Sequence, residues 1–256
     1  MTRRASWRRA IGVGSVAGLL LTGCGGFSPP GSNGPGDEKK APASHIVFMA
    51  MDGCFTLKDL QPVQDYLGVE AIRGDGLMSS DSTMQERPSC QGMFTVATFT
   101  PEFSDRGMPG DGDVSVAIDT EYTADEAATD YQDMIDQLHE ANAATSFENV
   151  QEGEISGTWD ESYYFTGDSS GEQFFYGYAR HDTWVLRVSL SIHHDPGIVE
   201  YERAPDRYPD SSAAEMAAYP FTKEELVSWL TTEYYPQTQS EFLAAIAEHE
   251  KANAPE

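Results

Sequence analysis

The sequence predicts an α+β fold in which helices pack on one face of an antiparallel sheet. The first observation is a pair of segments, 173–180 and 184–192, joined at His181-Asp182; in the second, the apolar residues Trp184, Leu186, Val188, Leu190 and Ile192 occupy every other position. Such alternation is typical of strands with one face in the core, and a short turn between two of them indicates a hairpin. The second observation is a set of Thr-x-x-Glu capping boxes, which mark helix starts. These boxes stand at 123–126, 222–225 and 238–241.

The elements before the long central helix follow in chain order. Leucine and valine keep helical spacing over 56–67, which predicts a short helix, and the polar stretch 68–89 is expected to be a loop. Segments 93–98 and 114–122 are rich in β-branched and aromatic residues and are expected to pair as strands. The Pro/Gly/Asp-rich stretch 101–113 would join them as a loop.

The second half of the chain adds the helices and the central strands. The first capping box predicts a helix over 124–143, and aromatic residues predict one or two short strands between 155 and 165. The hairpin of 173–192 is expected at the centre of the sheet. Two C-terminal helices are expected to be separated at Pro236, because proline interrupts a helix.

Residues 1–23 have the layout of a secretory signal. Four arginines precede the apolar run Ile11–Leu21, which is too short to cross a bilayer. The run ends in Leu21-Thr22-Gly23-Cys24. This box resembles the lipobox of bacterial lipoproteins, and the resemblance implies cleavage before Cys24 and acylation of its thiol. The alternative is an ordinary cysteine behind a secretory signal or a short membrane anchor.

Residues 24–44 are predicted to be the acylated cysteine and a flexible, disordered spacer. Their Gly, Pro, Ser and Lys content cannot bury enough apolar surface to offset chain entropy. Residues 45–256 are predicted to form a single α+β domain outside the cytoplasm, since about 210 residues suffice for one core.

The chain is strongly acidic, with 42 acidic and 16 basic residues and a net charge of −26. Loss of the four signal arginines lowers the net charge to −30. Such a charge disfavours nucleic acid and repels an anionic leaflet. Membrane contact is therefore expected through the lipid on Cys24 alone. The acidic surface indicates solubility or, alternatively, binding of cations or a basic partner.

Two cysteines, Cys54 and Cys90, remain once Cys24 is assigned to lipid. An even number of cysteines in an exported chain predicts a disulfide between them. The alternatives are two buried free thiols or a catalytic thiol with distant partners.

No common catalytic or nucleotide-binding motif is present in the sequence. Asp111–Ser115 begins like a calcium loop but lacks the required glycine and glutamate. His193-His194-Asp195 has metal-binding residue types, yet adjacent strand residues point to opposite faces. We therefore expect no catalytic residues, no metal site and no cofactor.

One long stretch, 195–221, has no regular period. Loops of this length are usually functional or disordered. Tyr201, Arg203, Arg207 and Tyr208 lie within it, and tyrosine and arginine are the residue types that binding hot spots use. The stretch is therefore a candidate recognition loop, and the alternative is a mobile connection.

The order of these features is similar to that of a family of actinobacterial cell-envelope lipoproteins of unknown function. The shared features are the lipobox, the Pro/Gly spacer, two cysteines, paired strands, a long helix and a final hairpin, over roughly residues 54–192. One departure is Gly92, because the family pattern usually has tryptophan two residues after the second cysteine. The resemblance implies a surface protein and no reaction.

The sequence thus predicts a lipid-anchored, non-catalytic binding or accessory protein at the extracytoplasmic face of the cell membrane. Its ligand would be a protein, a glycan or a small molecule, and not nucleic acid. The alternative is an envelope hydrolase whose site is assembled from distant histidines and carboxylates, for example His181 and His193. A third class, a lipid carrier, requires a large apolar cavity.

Overall fold

The computed structural model describes residues 40–50, 52–80 and 88–254. The predicted signal, Cys24 and most of the predicted spacer lie outside these residues. In the described part of the chain, seven strands form one antiparallel sheet in the order β1-β2-β3-β7-β6-β5-β4. The strands are β1 (Ala71–Ser80), β2 (Ser89–Phe99), β3 (Met108–Thr120), β4 (Glu148–Gly153), β5 (Glu161–Ser169), β6 (Glu172–His181) and β7 (Trp184–His193). The predicted α+β class with an antiparallel sheet is confirmed.

The helices flank this sheet. They are α1 (Ala43–Met49), α2 (Gly53–Thr56), α3 (Gln61–Leu67), α4 (Ala124–Ala144), α5 (Pro196–Arg203), α6 (Ala213–Met216), α7 (Lys223–Trp229) and α8 (Tyr235–Ala252). A π-helical turn, Leu230–Tyr234, joins α7 to α8. In the part of the chain that the structure describes, no helix combines the length and the apolarity that a bilayer-spanning helix requires.

The predicted hairpin lies at the centre of the sheet, as β6 and β7. Strand β7 bonds to β3 on one side and to β6 on the other. Its alternate residues Trp184, Leu186 and Leu190 are buried in the main core. The helical residues that cover them come from α1, α3, α7 and α8, and include Val47, Phe48, Val63, Leu67, Leu226, Val227 and Phe242.

Helix α4 packs on the face of the sheet opposite the one that the other core helices cover. Its Tyr131 and Ile135 form a second, smaller cluster with Val185, beside Tyr163 and Tyr178. Val185 alternates with the core-facing residues of β7 and therefore points to the opposite face. The apolar stripe of α4 packs there because that face offers it apolar and aromatic partners. The other core helices lie on one face, as expected.

The predicted loop over 68–89 is wrong for residues 71–80, which form β1. The pairing with β2 shifts register between Arg73 and Met78. Gly74 and Gly76 have φ angles of 67° and 92° in this irregularity, a conformation that favours glycine. The two glycines hide the strand pattern in the sequence, and in the structure they allow the backbone to form the bulge.

Two helix predictions need correction. The helix expected over 56–67 is interrupted, because residues 58–60 have φ angles of 53°, 52° and 56° and only α3 is a regular helix. The expected break at Pro236 does not separate two helices, since the π-helical turn just before it leads directly into α8. Thr238 therefore lies inside α8 and does not cap it.

The long helix was predicted correctly, and the first helix begins earlier than expected. The Thr123 hydroxyl caps α4 by accepting a hydrogen bond from the Glu126 backbone N–H at 3.2 Å. Helix α1 begins at Ala43, two residues before the expected domain start. Its Ser44 hydroxyl bonds to that of Thr183 at 2.6 Å, beside β7. The last residues of the predicted spacer therefore belong to the fold.

The predicted disulfide joins Cys54 of α2 to Cys90 of β2. Both cysteines are buried, and their Cα atoms are 4.5 Å apart. The bond links the short helix α2 covalently to β2.

We expect loss of this disulfide to lower the free energy of unfolding by about 3 to 4 kcal/mol. The reason is the entropy that a crosslink over 36 residues removes from the unfolded chain. Urea unfolding of the oxidised protein should be compared with that of the Cys54→Ala, Cys90→Ala double variant. An unchanged unfolding midpoint would show that the crosslink adds nothing to stability.

The phenol of Tyr131 is buried, and its ionisation is expected to make the free energy of unfolding depend on pH. Burial raises the pKa of Tyr131 to about 12, whereas an unfolded tyrosine titrates near 10. The folded state therefore holds this proton more tightly. Its stabilising contribution is complete below about pH 10 and is lost as the pH rises through about 12.

The measurement is the free energy of unfolding from about pH 9 to about pH 11.5 for the wild type and Tyr131→Phe. The wild type should lose stability more steeply than the variant, because the variant lacks this titrating group. Parallel curves would contradict the assignment.

Candidate functional site

The candidate recognition loop is an ordered segment with short helices. Residues 196–216 contain α5, a 3₁₀ turn at Pro205–Arg207, and α6. The lack of a regular period in the sequence reflects three short elements in succession. The segment is therefore a series of short helices and turns, and the alternatives of a recognition segment and a mobile connection both stay predictions.

A single buried carboxylate closes the segment at both ends. Asp195 follows β7 and is only 7 % exposed. It accepts hydrogen bonds from the backbone N–H groups of Gly197 at 2.8 Å and Ile198 at 3.1 Å, which caps α5. It also accepts from Ala218 at 2.9 Å and Tyr219 at 2.7 Å. Asp195, which the sequence offered as a metal ligand, is a capping residue here.

The close approach of α5 and α6 depends on Gly197. A Cβ atom at this position would lie 1.8 Å from the backbone oxygen of Met216. The glycine thus allows the start of α5 to contact the end of α6. This contact and the hydrogen bonds to Asp195 position the start of α5 against the end of α6 and against residues 218–219.

A second buried acid, Glu200, organises two of the predicted binding residues. Glu200 is 1 % exposed, and Arg203 Nη2 donates to its Oε2. Arg207 Nη1 lies 3.7 Å from Oε1. The side chains of Arg203 and Arg207 remain 67 % and 59 % exposed. Each guanidinium group therefore contacts the buried carboxylate and still faces solvent.

These arginines line a cleft of about 370 Å³ between the segment and the β2–β3 loop. We call it the arginine cleft. Its lining includes Phe103, Ser104, Arg106, Glu200, Arg203 and Arg207. Three guanidinium groups and one carboxylate are its charged groups among the described residues, which gives the lining a net charge of +2. The whole chain carries −26.

Several basic side chains elsewhere in the fold are paired with acidic side chains. Five other basic side chains each have a carboxylate of their own, in the pairs Lys58–Glu241, Arg73–Asp111, Arg180–Glu161, Arg187–Asp119 and Lys223–Asp168. In the cleft, Arg203 and Arg207 share Glu200. Arg106 forms no ion pair with any residue that the structure describes. The cleft is therefore a local excess of positive charge.

The two predicted tyrosines have different positions. Tyr208 is buried, and its ring centre lies 6.0 Å from that of Phe103, which is 65 % exposed. Burial raises the pKa of the Tyr208 phenol, and the negative charge of Glu200 adds to this effect. Tyr201 is half-buried and does not line the cleft. Two of the four predicted residues thus form the site, and Tyr208 packs against its aromatic wall.

Sequence reasoning missed Phe103 and Arg106. They lie about a hundred residues from Arg203 along the chain, in a stretch read only as a loop. Basic residues are scarce in this chain, and Arg106 stands in a turn-rich stretch with no evident structural need for an arginine. This combination could have marked Arg106 as a candidate binding residue. Its position beside the other two arginines depends on the sheet.

The other sequence candidates do not converge on one site. His193 lies beside Glu172 at one end of the β6–β7 hairpin, whereas His181 lies at the opposite end and faces the backbone oxygen of Thr158. The structure therefore does not bring together the two histidines of the hydrolase alternative. Asp111 pairs with Arg73 on neighbouring strands. Among the described residues, no three potential ligands are grouped as a metal site would require.

A lipid carrier would need a large apolar cavity. One cavity in the main core, beside Phe175 and Leu190, has a volume of about 10 Å³. An acyl chain does not fit into a space of this size, so this cavity is not a lipid-binding site.

We expect Asp195→Ala to lower the free energy of unfolding by about 3 kcal/mol, because it leaves buried backbone N–H groups without acceptors. Protease cleavage within residues 196–218 should also become faster. The matched control is Asp206→Ala, which removes an exposed carboxylate from the same segment. Equal stability and cleavage in the two variants would refute the role of Asp195.

Comparisons with known proteins show no relative. No protein-family model matches the chain, and neither a curated protein nor a solved structure is significantly similar to it. The resemblance to actinobacterial envelope lipoproteins therefore stays a prediction, and function has to be argued from the site.

Proposed function

We propose that the protein is an extracytoplasmic lipoprotein, anchored to the cell membrane through Cys24, that binds a ligand in the arginine cleft without catalysing a reaction. One observation carries the proposal. Three arginines and an exposed phenylalanine from two distant parts of the chain line a single cleft in a strongly acidic protein.

The residue types of the cleft, and the contacts that hold them in place, support ligand binding. Arginine and aromatic residues dominate the energetics of many interfaces, and they do so best when they are held in place. Here Glu200 is buried and holds Arg203 and Arg207. Asp195 closes the segment that carries them. Arg203 and Arg207 therefore lose less conformational entropy on ligand binding than unpaired arginines would.

The chemistry of the lining favours binding over catalysis. The acid of the cleft, Glu200, has both oxygens engaged by guanidinium groups. The Ser104 hydroxyl oxygen accepts a hydrogen bond from the Arg106 backbone N–H at 3.1 Å. The lining contains neither histidine nor cysteine among the described residues. A general base that could activate a nucleophile is not evident in this arrangement.

The anchor rests on the lipobox and on the chain that follows it. A doubly acylated Cys24 would be held stably, because two lipid signals suffice for durable membrane attachment. The Gly, Pro, Ser and Lys residues that follow Cys24 separate the lipid from the fold in sequence, so the fold would be tethered at the membrane surface.

The anchor is tested with the Cys24→Ala variant of the full chain. The wild type should fractionate with membranes and carry the mass of a diacylglyceryl group, and the variant should do neither. Ser28→Ala is the control, since it changes a nearby small residue and spares the box. Equal fractionation and equal modification of wild type and Cys24→Ala would disprove the anchor.

Photo-crosslinking in cells that produce the protein tests whether the cleft binds a ligand. A photo-crosslinking amino acid at position 103 should form ligand adducts, and one at position 93 should not. Met93 is 55 % exposed and lies on β2, away from the cleft lining. Adducts at both positions, or at neither, would argue against the cleft as the binding site.

A further inference from the structure

We infer that the arginine cleft binds a phosphate monoester whose phosphate is attached to a ring or another apolar group. The inference rests on the proposed function, because it names the ligand class of the same site.

The first step is charge. The lining carries three guanidinium groups against one carboxylate, a net charge of +2. A phosphate monoester carries close to two negative charges at neutral pH, and a carboxylate carries one. The doubly charged group therefore matches the cleft, whereas a carboxylate would leave half of the excess positive charge unpaired.

The second step is the supply of donors. Each guanidinium group has five N–H donors in a planar fork, which matches the oxygens of phosphate. Glu200 engages Arg203 and Arg207 from the buried side only, and both side chains stay more than half exposed. Arg106 is exposed and has no ion pair within the described residues. Donors from three guanidinium groups thus remain for one tetrahedral anion.

The third step is the apolar wall. Phe103 is 65 % exposed and packs its ring against the buried Tyr208. Single exposed apolar residues are common, but this one lines the same cleft as the three arginines. A cleft of about 370 Å³ is of the size that small-molecule sites occupy. It has room for a phosphate and for the group that carries it.

The fourth step concerns selectivity. Exposed acidic residues of the same two chain segments lie outside the lining, among them Glu102, Asp105, Glu202 and Asp206. Their negative charge disfavours an extended polyanion along these segments more than a single compact anionic group that reaches the arginines.

The probe for the test is phenyl phosphate, titrated calorimetrically into the full chain with Cys24→Ala. Benzoate, which carries one charge on the same ring, is the comparison ligand. We expect phenyl phosphate to bind about 10-fold tighter than benzoate or better, and its binding to weaken as salt is added. Absence of phenyl phosphate binding at millimolar concentration, or equal affinity for benzoate, would overturn the inference.

Variants assign the binding to the cleft. Arg106→Ala should weaken phenyl phosphate binding about 10-fold, since it removes charge-assisted hydrogen bonds without breaking an ion pair. Lys58→Ala removes the same charge outside the cleft and should change affinity less than about 2-fold. Arg203→Ala leaves Glu200 with one partner and endangers the fold. Arg203→Lys therefore replaces it, because it keeps the charge and loses the fork.

We expect Arg203→Lys to weaken phenyl phosphate binding several-fold with an unchanged urea unfolding midpoint. Wild-type affinity in both Arg106→Ala and Arg203→Lys would overturn the assignment to the cleft.

The phosphate has two sources, a soluble ester or a lipid headgroup. Flotation with phosphatidylcholine vesicles that contain phosphatidic acid separates them. Binding to these vesicles, reversed by phenyl phosphate, supports the inference with a lipid source. Binding of phenyl phosphate without vesicle binding supports it with a soluble source. Adducts at position 103 in a protein that ignores phenyl phosphate would overturn the inference alone and leave the proposed function standing.

Discussion

The alternation of apolar and polar residues along β7 is the constraint on which the rest of the fold depends. This strand is the fourth of seven described strands and bonds to β3 and β6, so the register of both halves of the sheet follows from it. Its core-facing residues, from Trp184 to Ile192, meet α1, α7 and α8. A shift of one residue would turn this set towards α4 and leave the main core without its centre.

The site is attached to that strand by polar contacts. Two residues beyond the end of β7, the Asp195 carboxylate ties α5 to residues 218 and 219, and α5 places Glu200 beneath the arginines. The segment that lines the cleft is thus attached to the sheet at Asp195, while the side chains of the lining reach solvent. Buried acids act here as fixed supports, and the positive charges that they hold face outward, where they can meet a ligand.

The sequence predicts those parts of the fold whose signals are local. Helix α4 and the β6–β7 hairpin have caps and periods that are complete within the segment. Strand β1 does not, because it is bulged at glycines. Helices α5 and α6 have local caps at Asp195 and Ser212, but they are too short to show a clear period, and the hydrogen bond from Ala218 to Asp195 spans 23 residues. Arg203 and Arg207 could be chosen from composition. Phe103 and Arg106 could not be joined to them, since that proximity is created by tertiary structure and leaves no period in the chain.

The bulge in β1 has a consequence for how copies of this protein can associate with one another. An open sheet ends in strands whose free backbone groups can accept a strand from a neighbouring molecule. At one edge, the irregular stretch at Gly74 and Gly76 interrupts the row of backbone groups that a neighbour would need. At the other edge, β4 carries exposed Glu148 and Glu152, which repel an identical strand. Both edges of the sheet therefore oppose the joining of neighbouring copies into one larger sheet, even at high local concentration.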